Sequence, residues 1–86
     1  MDVSYKPTFV RQFNKLEIAL QTEVLEKIEL FKSSPAHSTL KVHKLTSVLQ
    51  GCYSFSVNYS IRIVFQYETK QEAVLLAVGD HNVYKR

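Results

Sequence analysis

The spacing of apolar residues changes from a helical to an extended period at about residue 40 of this 86-residue chain. Before that point, apolar residues recur every three or four positions, as they do on the buried side of a helix. These residues are Phe9, Phe13 and Leu16 in one segment and Leu20, Val24, Leu25, Ile28 and Phe31 in the next. Pro7 stands where a proline opens a helix, and Pro35 follows the end of the second segment. The first half therefore predicts two helices, after a short strand over Asp2–Tyr5.

After residue 40, apolar and polar residues alternate, which is the pattern of strands with one face on a core. The alternation assigns to the core side Tyr53, Phe55, Val57 and Tyr59 in one strand and Ile61, Ile63, Phe65 and Tyr67 in the next. A turn at residues 58–60 is short enough to join these two strands as a hairpin. The nearly all-apolar run of residues 73–78 is typical of a central strand covered on both faces, and Gly79 ends it.

Helices that precede a run of antiparallel strands predict an α+β domain. We expect a single domain over residues 1–86, with an N-terminal strand and both helices packed on one face of an antiparallel sheet of three to five strands. The length agrees with one core, because a chain of this size buries only about 60–65% of its unfolded surface. The other face of the sheet is then exposed, and we expect the functional polar side chains there.

The composition narrows the class of partner and the compartment. A net charge of +3 favours an anionic partner, either a nucleic acid or an acidic protein. Cys52 is the single cysteine, so an internal disulfide is excluded, and no Cys/His spacing is typical of a zinc site. The sequence has no signal-peptide pattern and no apolar run near the ~18 residues of a membrane span. We therefore expect a soluble, cytoplasmic protein with no membrane partner, no metal and no small-molecule cofactor.

The open face of the sheet is where we expect the chemistry. If Ile61 and Ile63 face the helices, strand alternation turns Arg62 to the opposite side. Ser54 and Ser56 of the neighbouring strand face the same way by the same rule. An arginine on a polar sheet face suits phosphate, because its planar guanidinium stays charged and matches phosphate oxygens.

Two histidines and a tyrosine can reach that face from the neighbouring segments. His81 and Tyr84 follow the last strand, and His43 and Lys44 precede the hairpin. RNA cleavage without a metal needs a base for the 2′-hydroxyl proton, a cation at the phosphate and an acid for the leaving 5′-oxygen. Histidine suits the proton transfers, and a tyrosine ring can stack on an unpaired base.

Each of these residues also has an ordinary structural explanation. Arg62 is about as often a solvated surface residue, and His43 is more often an exposed loop residue. His81 could bond to the C-terminal segment, and Tyr84 could pack that segment on the sheet. Solubilising charge would account for Lys41, Lys44, Lys85 and Arg86. The residues alone support only a basic α+β domain.

Three segments of the chain resemble the RelE/ParE toxin superfamily, especially its RelE and YafQ branches. In order, they are LKVHKLTSVLQGCYSFSV, YSIRIVFQYE and AVLLAVGDHNVYKR. Their marks are a Gly-x-Tyr strand start, an Ile-Arg-Ile-Val-Phe strand and a terminal Gly-x-His-x-x-Tyr. The likeness covers nearly the whole chain and is densest over residues 40–86. It implies a fold like that of small microbial ribonucleases, metal-independent cleavage of messenger RNA and inhibition of translation.

The resemblance also implies roles for single residues. Arg62 matches the family's phosphate-stabilising arginine, and His81 matches the C-terminal histidine of the YafQ-like branch. Tyr84 falls where the family places an aromatic residue near the substrate base, and His43 matches a further histidine of that branch. The expected RNA contacts are Lys41, Lys44, Ser54, Ser56, Lys85 and Arg86. RelE carries lysines where this chain has the two serines, which leaves the phosphate to Arg62 and the flanking lysines.

The resemblance implies two partners, a cognate antitoxin whose flexible tail covers the site and messenger RNA on the ribosome. Two alternatives to the nuclease stay open. A ParE-like toxin would share the fold but poison DNA gyrase by protein contact, and an inactive member would serve only as the antitoxin's partner or co-repressor. His81, His43 and Arg62 favour the nuclease, because a gyrase-binding protein needs no proton-transfer groups.

Overall fold

The computed structural model describes residues 1–46 and 51–84. In chain order, the elements are β1 (Asp2–Tyr5), α1 (Pro7–Asn14), α2 (Ile18–Ser33), β2 (His43–Lys44), β3 (Tyr53–Ser56), β4 (Arg62–Thr69) and β5 (Glu72–Gly79). A first 3₁₀ turn, Ser38–Leu40, follows α2, and a second, His81–Tyr84, follows β5. The strands form one sheet in the order β1-β5-β4-β3-β2.

The sheet is mixed, which corrects the predicted antiparallel sheet at one edge. Strands β2 to β5 pair antiparallel in succession, but β1 runs parallel to β5, with Val3 opposite Ala73. A parallel pair needs a long crossover connection, and here both helices and three strands lie between its two members in the chain. Alternation over four residues indicates a strand but not its direction, so the sequence could not show this pairing.

Both helices pack on one face of the sheet, as predicted. Phe9 of α1 and Ile28 and Phe31 of α2 are buried in a core with the sheet. The largest strand side chains of this core are Phe55, Ile63, Phe65 and Leu75. The ring centroid of Phe31 is 4.6 Å from that of Phe55 on β3 and 4.9 Å from that of Phe65 on β4, so the end of α2 packs on these two strands. The predicted α+β class is confirmed. No helix in residues 1–46 and 51–84 is long and apolar enough to cross a membrane.

The sheet face away from the helices is partly closed by the second 3₁₀ turn. Val64 and Cys52 are buried there and form a small apolar cluster. The partly buried members of this cluster are Leu45, Leu76, Ala77 and Val83. A Cβ atom on Gly79 would lie 2.8 Å from Cγ1 of Val83, so the turn lies directly against the end of β5. The expectation of a wholly open face is therefore wrong, because apolar residues on this face need a cover.

Candidate active site

The turn between β3 and β4 is built around Asn58. Its Oδ1 accepts hydrogen bonds from the backbone N–H groups of Ser60 at 2.8 Å and Ile61 at 2.9 Å. Its Nδ2 donates to Oε2 of Glu23 in α2 at 2.7 Å. An asparagine that bonds to the backbone two residues later forms an Asx-turn, which fixes the local path of the chain. The turn is thus held both internally and to the helix layer.

Arg62 begins β4, and its guanidinium is bonded to this turn. Its Nη1 donates to the carbonyl oxygens of Asn58 at 2.8 Å, Tyr59 at 3.2 Å and Ile61 at 3.3 Å. Among the residues that the structure describes, none accepts a bond from its Nε or Nη2, and none forms an ion pair with it. A guanidinium carries five N–H donors, so three remain for an anion on a side chain that is already held in place.

Arg62 and His81 line the same open cavity, which has a volume of about 510 Å³. The other lining residues are Tyr59, Ser60, Asp80 and Asn82. Oδ1 of Asp80 accepts from the backbone N–H of Asn82 at 2.9 Å, which fixes the start of the second 3₁₀ turn. The cavity is within the range of about 300–1,000 Å³ that is common for ligand sites. It brings together a cation, an imidazole and a carboxylate.

His43 lies on β2 and is not part of this lining. Its Nδ1 is 3.2 Å from the carbonyl oxygen of Lys41, and its Nε2 is 3.3 Å from Oγ of Ser54. A carbonyl oxygen only accepts, so in the neutral ring Nδ1 carries the proton and Nε2 accepts from the serine hydroxyl. Both ring nitrogens of His43 are therefore engaged, one with the backbone just before β2 and the other with a side chain of β3.

The two serines on β3 differ in exposure. Ser54 is fully buried, opposite Val64 in the sheet, so its predicted place on an exposed surface is wrong. The alternation itself is right, but Val64 belongs to the apolar cluster, and His43 bonds to the hydroxyl. Ser56 is half-buried and lies opposite Arg62 in the sheet, so it is nearer than Ser54 to the residues that line the cavity.

The two predicted lysine contacts that the structure describes, Lys41 and Lys44, do not line the cavity with Arg62. Lys44 is exposed on β2 and does not line the cavity with Arg62. Lys41 lines a larger cavity of about 860 Å³. Lys85, Arg86 and the side chain of Tyr84 lie outside the part of the chain that the structure describes.

The larger cavity is a different kind of site. Tyr67 lines it and packs edge-on against the rings of Tyr53 and Phe65. Burial, and to a lesser degree the nearby Tyr53, raise the pKa of Tyr67 above its ordinary value of 10.0. None of Arg62, His81 and His43 lines this cavity, so we place the candidate active site at the smaller one.

Two groups in the smaller cavity were not among the predicted site residues. Tyr59 was expected on the core side of its strand, but β3 ends at Ser56, and Tyr59 is 96% exposed in the turn. The sequence does carry a signal for this, because an Asn-x-Ser segment is typical of a turn and ends the alternation. Asp80 directly follows Gly79, at which the predicted strand ends. Within the described ranges, no group of three or more His, Cys, Asp or Glu residues could hold a metal ion.

No protein-family model matches the sequence, and no curated protein sequence matches it either. The architecture is nevertheless that of the RelE/ParE-type toxins. YafQ from E. coli strain BL21(DE3) superimposes with a TM-score of 0.80 at 15% identity, covering 99% of this chain and 98% of that one. The YoeB/ParE toxin from Agrobacterium tumefaciens gives 0.75 at 14% identity, with 94% and 99% covered. A chain of the YoeB-YefM complex from Staphylococcus aureus gives 0.73 at 18% identity, with 94% and 97% covered.

The likeness at these identities is one of fold, and it extends over nearly the whole chain. The fold expected from the resemblance to the RelE/ParE superfamily is thereby confirmed.

Proposed function

We propose that the chain is the toxin of a type II toxin–antitoxin system and acts as a metal-independent endoribonuclease on messenger RNA. The observation that carries the proposal is the cavity shared by Arg62 and His81, on a fold found in the YafQ and YoeB toxins. A fixed cation and a group that exchanges protons near neutral pH are the main requirements of phosphodiester cleavage.

In the proposed reaction, the RNA supplies its own nucleophile. A base removes the 2′-hydroxyl proton, O2′ bonds to the adjacent phosphorus, the bond from phosphorus to O5′ breaks, and an acid protonates O5′. The products are a 2′,3′-cyclic phosphate and a 5′-hydroxyl end. Arg62 stabilises the charge that grows on the non-bridging oxygens, and His81 carries one of the two proton transfers.

Asp80 is the candidate for the other proton transfer in this proposal. Its carboxylate lines the same cavity as Arg62 and His81, whereas His43 does not. Both ring nitrogens of His43 are also engaged at the edge of the sheet. The sequence-based role of His43 in catalysis is therefore less well supported than that of His81. Tyr84 keeps its proposed place near the substrate base.

The proposed partners are messenger RNA, bound on the ribosome, and a cognate antitoxin. A chain in each of two YoeB-YefM complexes from Staphylococcus aureus, one of them called a toxin-antitoxin complex, shares the fold. The net charge of +3 suits an acidic antitoxin segment that orders when it binds. Capture of the protein encoded by the adjacent gene, followed by loss of cleavage in the complex, would identify that partner.

The test is cleavage of a defined messenger RNA on programmed ribosomes by the purified chain. The wild type should leave 2′,3′-cyclic phosphate ends. Arg62→Ala should lose about 2–4 kcal/mol of transition-state stabilisation, as when one oxyanion donor is removed. His81→Ala should slow cleavage by about 10²–10⁴-fold. Lys15→Ala, which removes an exposed cation outside the cavity, is the matched control and should cleave like the wild type.

Expression of the wild-type chain in cells separates the alternatives. Growth arrest with intact messenger RNA and a DNA-damage response would replace the nuclease by a gyrase poison. Binding of the antitoxin without arrest would indicate an inactive member. Unchanged cleavage in both Arg62→Ala and His81→Ala would move the active site elsewhere.

A further inference from the structure

Tyr59 is the most exposed large hydrophobic side chain among residues 1–46 and 51–83, whose side chains the structure describes, at 96%. The other two exposed tyrosines there pack against rings, with 5.5 Å between the centroids of Tyr5 and Phe9 and 4.9 Å between those of Tyr67 and Tyr53. Tyr59 has no such ring partner in that part of the chain. Hydrophobic stabilisation scales with the apolar area removed from water, so the fold gains almost nothing from an aromatic ring here.

The backbone that carries this ring is fixed. The Asn58 side chain holds the turn from within and from α2, and Nη1 of Arg62 donates to the carbonyl of Tyr59 at 3.2 Å. A side chain on a fixed turn loses less conformational freedom on binding than one on a mobile loop. The turn therefore holds the backbone from which the ring projects in a preorganised position.

Tyr59 and Arg62 line the same cavity, and the guanidinium of Arg62 is bonded to the backbone carbonyl of Tyr59. A nucleotide offers the two groups that complement them, a phosphate for Arg62 and a flat base for an aromatic face. We propose that Tyr59 stacks on the base of a nucleotide next to the phosphate bound by Arg62. The inference rests on the proposed function, and it adds a base contact distinct from that of Tyr84.

A protein partner is the other class of molecule that uses exposed tyrosines. RNA is favoured here because one cavity is lined by both a tyrosine and an arginine that has no ion pair in the described part of the chain, and a nucleotide can bind both at once. Exposure alone would not carry the proposal, since single exposed apolar residues are common. The fixed turn and the shared cavity are what carry it.

The test uses a fluorescent single-stranded RNA with 2′-O-methyl riboses, which cannot be cleaved because it lacks the nucleophile. Anisotropy gives its Kd, free and on programmed ribosomes. Tyr59→Ala should raise Kd by about 5- to 150-fold, the equivalent of ~1–3 kcal/mol for one stacked base. Tyr59→Phe keeps the ring and should bind like the wild type, whereas Tyr59→Leu should behave like Tyr59→Ala. Ile18→Ala is the matched control, because Ile18 is 75% exposed on α2 and outside the cavity.

A series of RNAs that each lack one base locates the contact. One abasic position should weaken binding to the wild type and have no further effect on Tyr59→Ala, since the two changes remove the same interaction. If Tyr59→Ala binds RNA like the wild type while Arg62→Ala does not, the inference is wrong and the proposed function stands. If Tyr59→Ala weakens only the binding of the antitoxin, the ring is a protein contact, which also overturns the inference. If the wild type binds neither free nor ribosome-bound RNA, both proposals fall.

Discussion

Asn58 connects the turn, the helix layer and the candidate active site through one side chain and one carbonyl. Its amide oxygen holds Ser60 and Ile61, its amide nitrogen bonds to Glu23, and its carbonyl accepts from Arg62. The position of the arginine therefore depends on an asparagine in the preceding turn. How strongly the bond to Glu23 holds this turn can be measured as a coupling free energy between Asn58 and Glu23.

Asn58→Asp keeps the acceptor oxygen and puts a carboxylate oxygen 2.7 Å from Oε2 of Glu23. We expect a loss of about 1–3 kcal/mol in the free energy of unfolding, because a donor is lost and two like charges meet. Glu23→Gln in the same chain should restore most of it, because its amide can donate to the new carboxylate. Urea denaturation of the two single variants and the double variant gives the coupling. Strictly additive losses would show that the bond to Glu23 does not hold the turn.

The second 3₁₀ turn positions His81 through packing rather than through the sheet ladder. Val83 packs into the apolar cluster with Val64 and lies against Gly79. The pairing of β4 with β5 shifts register between Val64 and Phe65, and both Leu76 and Ala77 pack against this cluster. An all-apolar strand has no alternation that could reveal such a bulge, which is why the sequence did not indicate this cluster.

Gly79→Ala tests whether that packing positions His81. The new Cβ would lie 2.8 Å from Cγ1 of Val83, so the turn must move. We expect cleavage to fall by up to about 100-fold, because a shift of about 1 Å in a catalytic group has such an effect. Val83→Ala in the same chain should recover most of the rate by giving the new methyl group room. Loss of cleavage without recovery would show that Gly79 acts in another way.

Gly51→Ala is the matched control for the previous variant. Gly51 has a φ of +88°, and a Cβ there would meet nothing within 4 Å. The cost is therefore backbone strain alone, about 1–2 kcal/mol for a residue with a side chain in this region. We expect lower stability in urea denaturation and an unchanged cleavage rate for the folded protein. A fall in cleavage equal to that of Gly79→Ala would mean that general destabilisation explains both.

The architecture of the whole molecule could largely be predicted, because the change in hydrophobic period separates the helices from the strands. Phe9, Ile28 and Phe31 are buried as their spacing indicates. The direction of β1 could not be predicted, since alternation has no polarity. The candidate active site was harder to predict, because most residues that line its cavity lie in two turns. A turn has no hydrophobic periodicity that could reveal which of its side chains come together. Arg62 and His81 could be named from the sequence, whereas Tyr59 and Asp80 depend on where β3 and β5 end.

Among the residues that the structure describes, positive charge is dispersed rather than concentrated at the candidate active site. Lys41 lines the larger cavity, Lys44 lies on β2, and the lining of the smaller cavity includes the acidic Asp80 as well as Arg62. The net charge of +3 raises the attraction for RNA in general, but Arg62 is the one lysine or arginine among the described residues that lines this cavity. Affinity at the site should depend on stacking and on Arg62 more than on total charge.

The salt dependence of RNA binding separates these two sources of affinity. Each phosphate neutralised on single-stranded RNA contributes a slope of about 0.7 to the plot of log Kd against log salt. For one to three phosphates we expect a total slope of about 0.7–2, measured by anisotropy with the 2′-O-methyl RNA. Arg62→Ala should lower the slope by about 0.7, whereas Tyr59→Ala should raise Kd at every salt concentration without changing the slope, because stacking releases no ions. Lys41→Ala and Lys44→Ala should leave the slope unchanged. A steep slope that falls with every lysine removed would mean that dispersed charge, and not the cavity, holds the RNA.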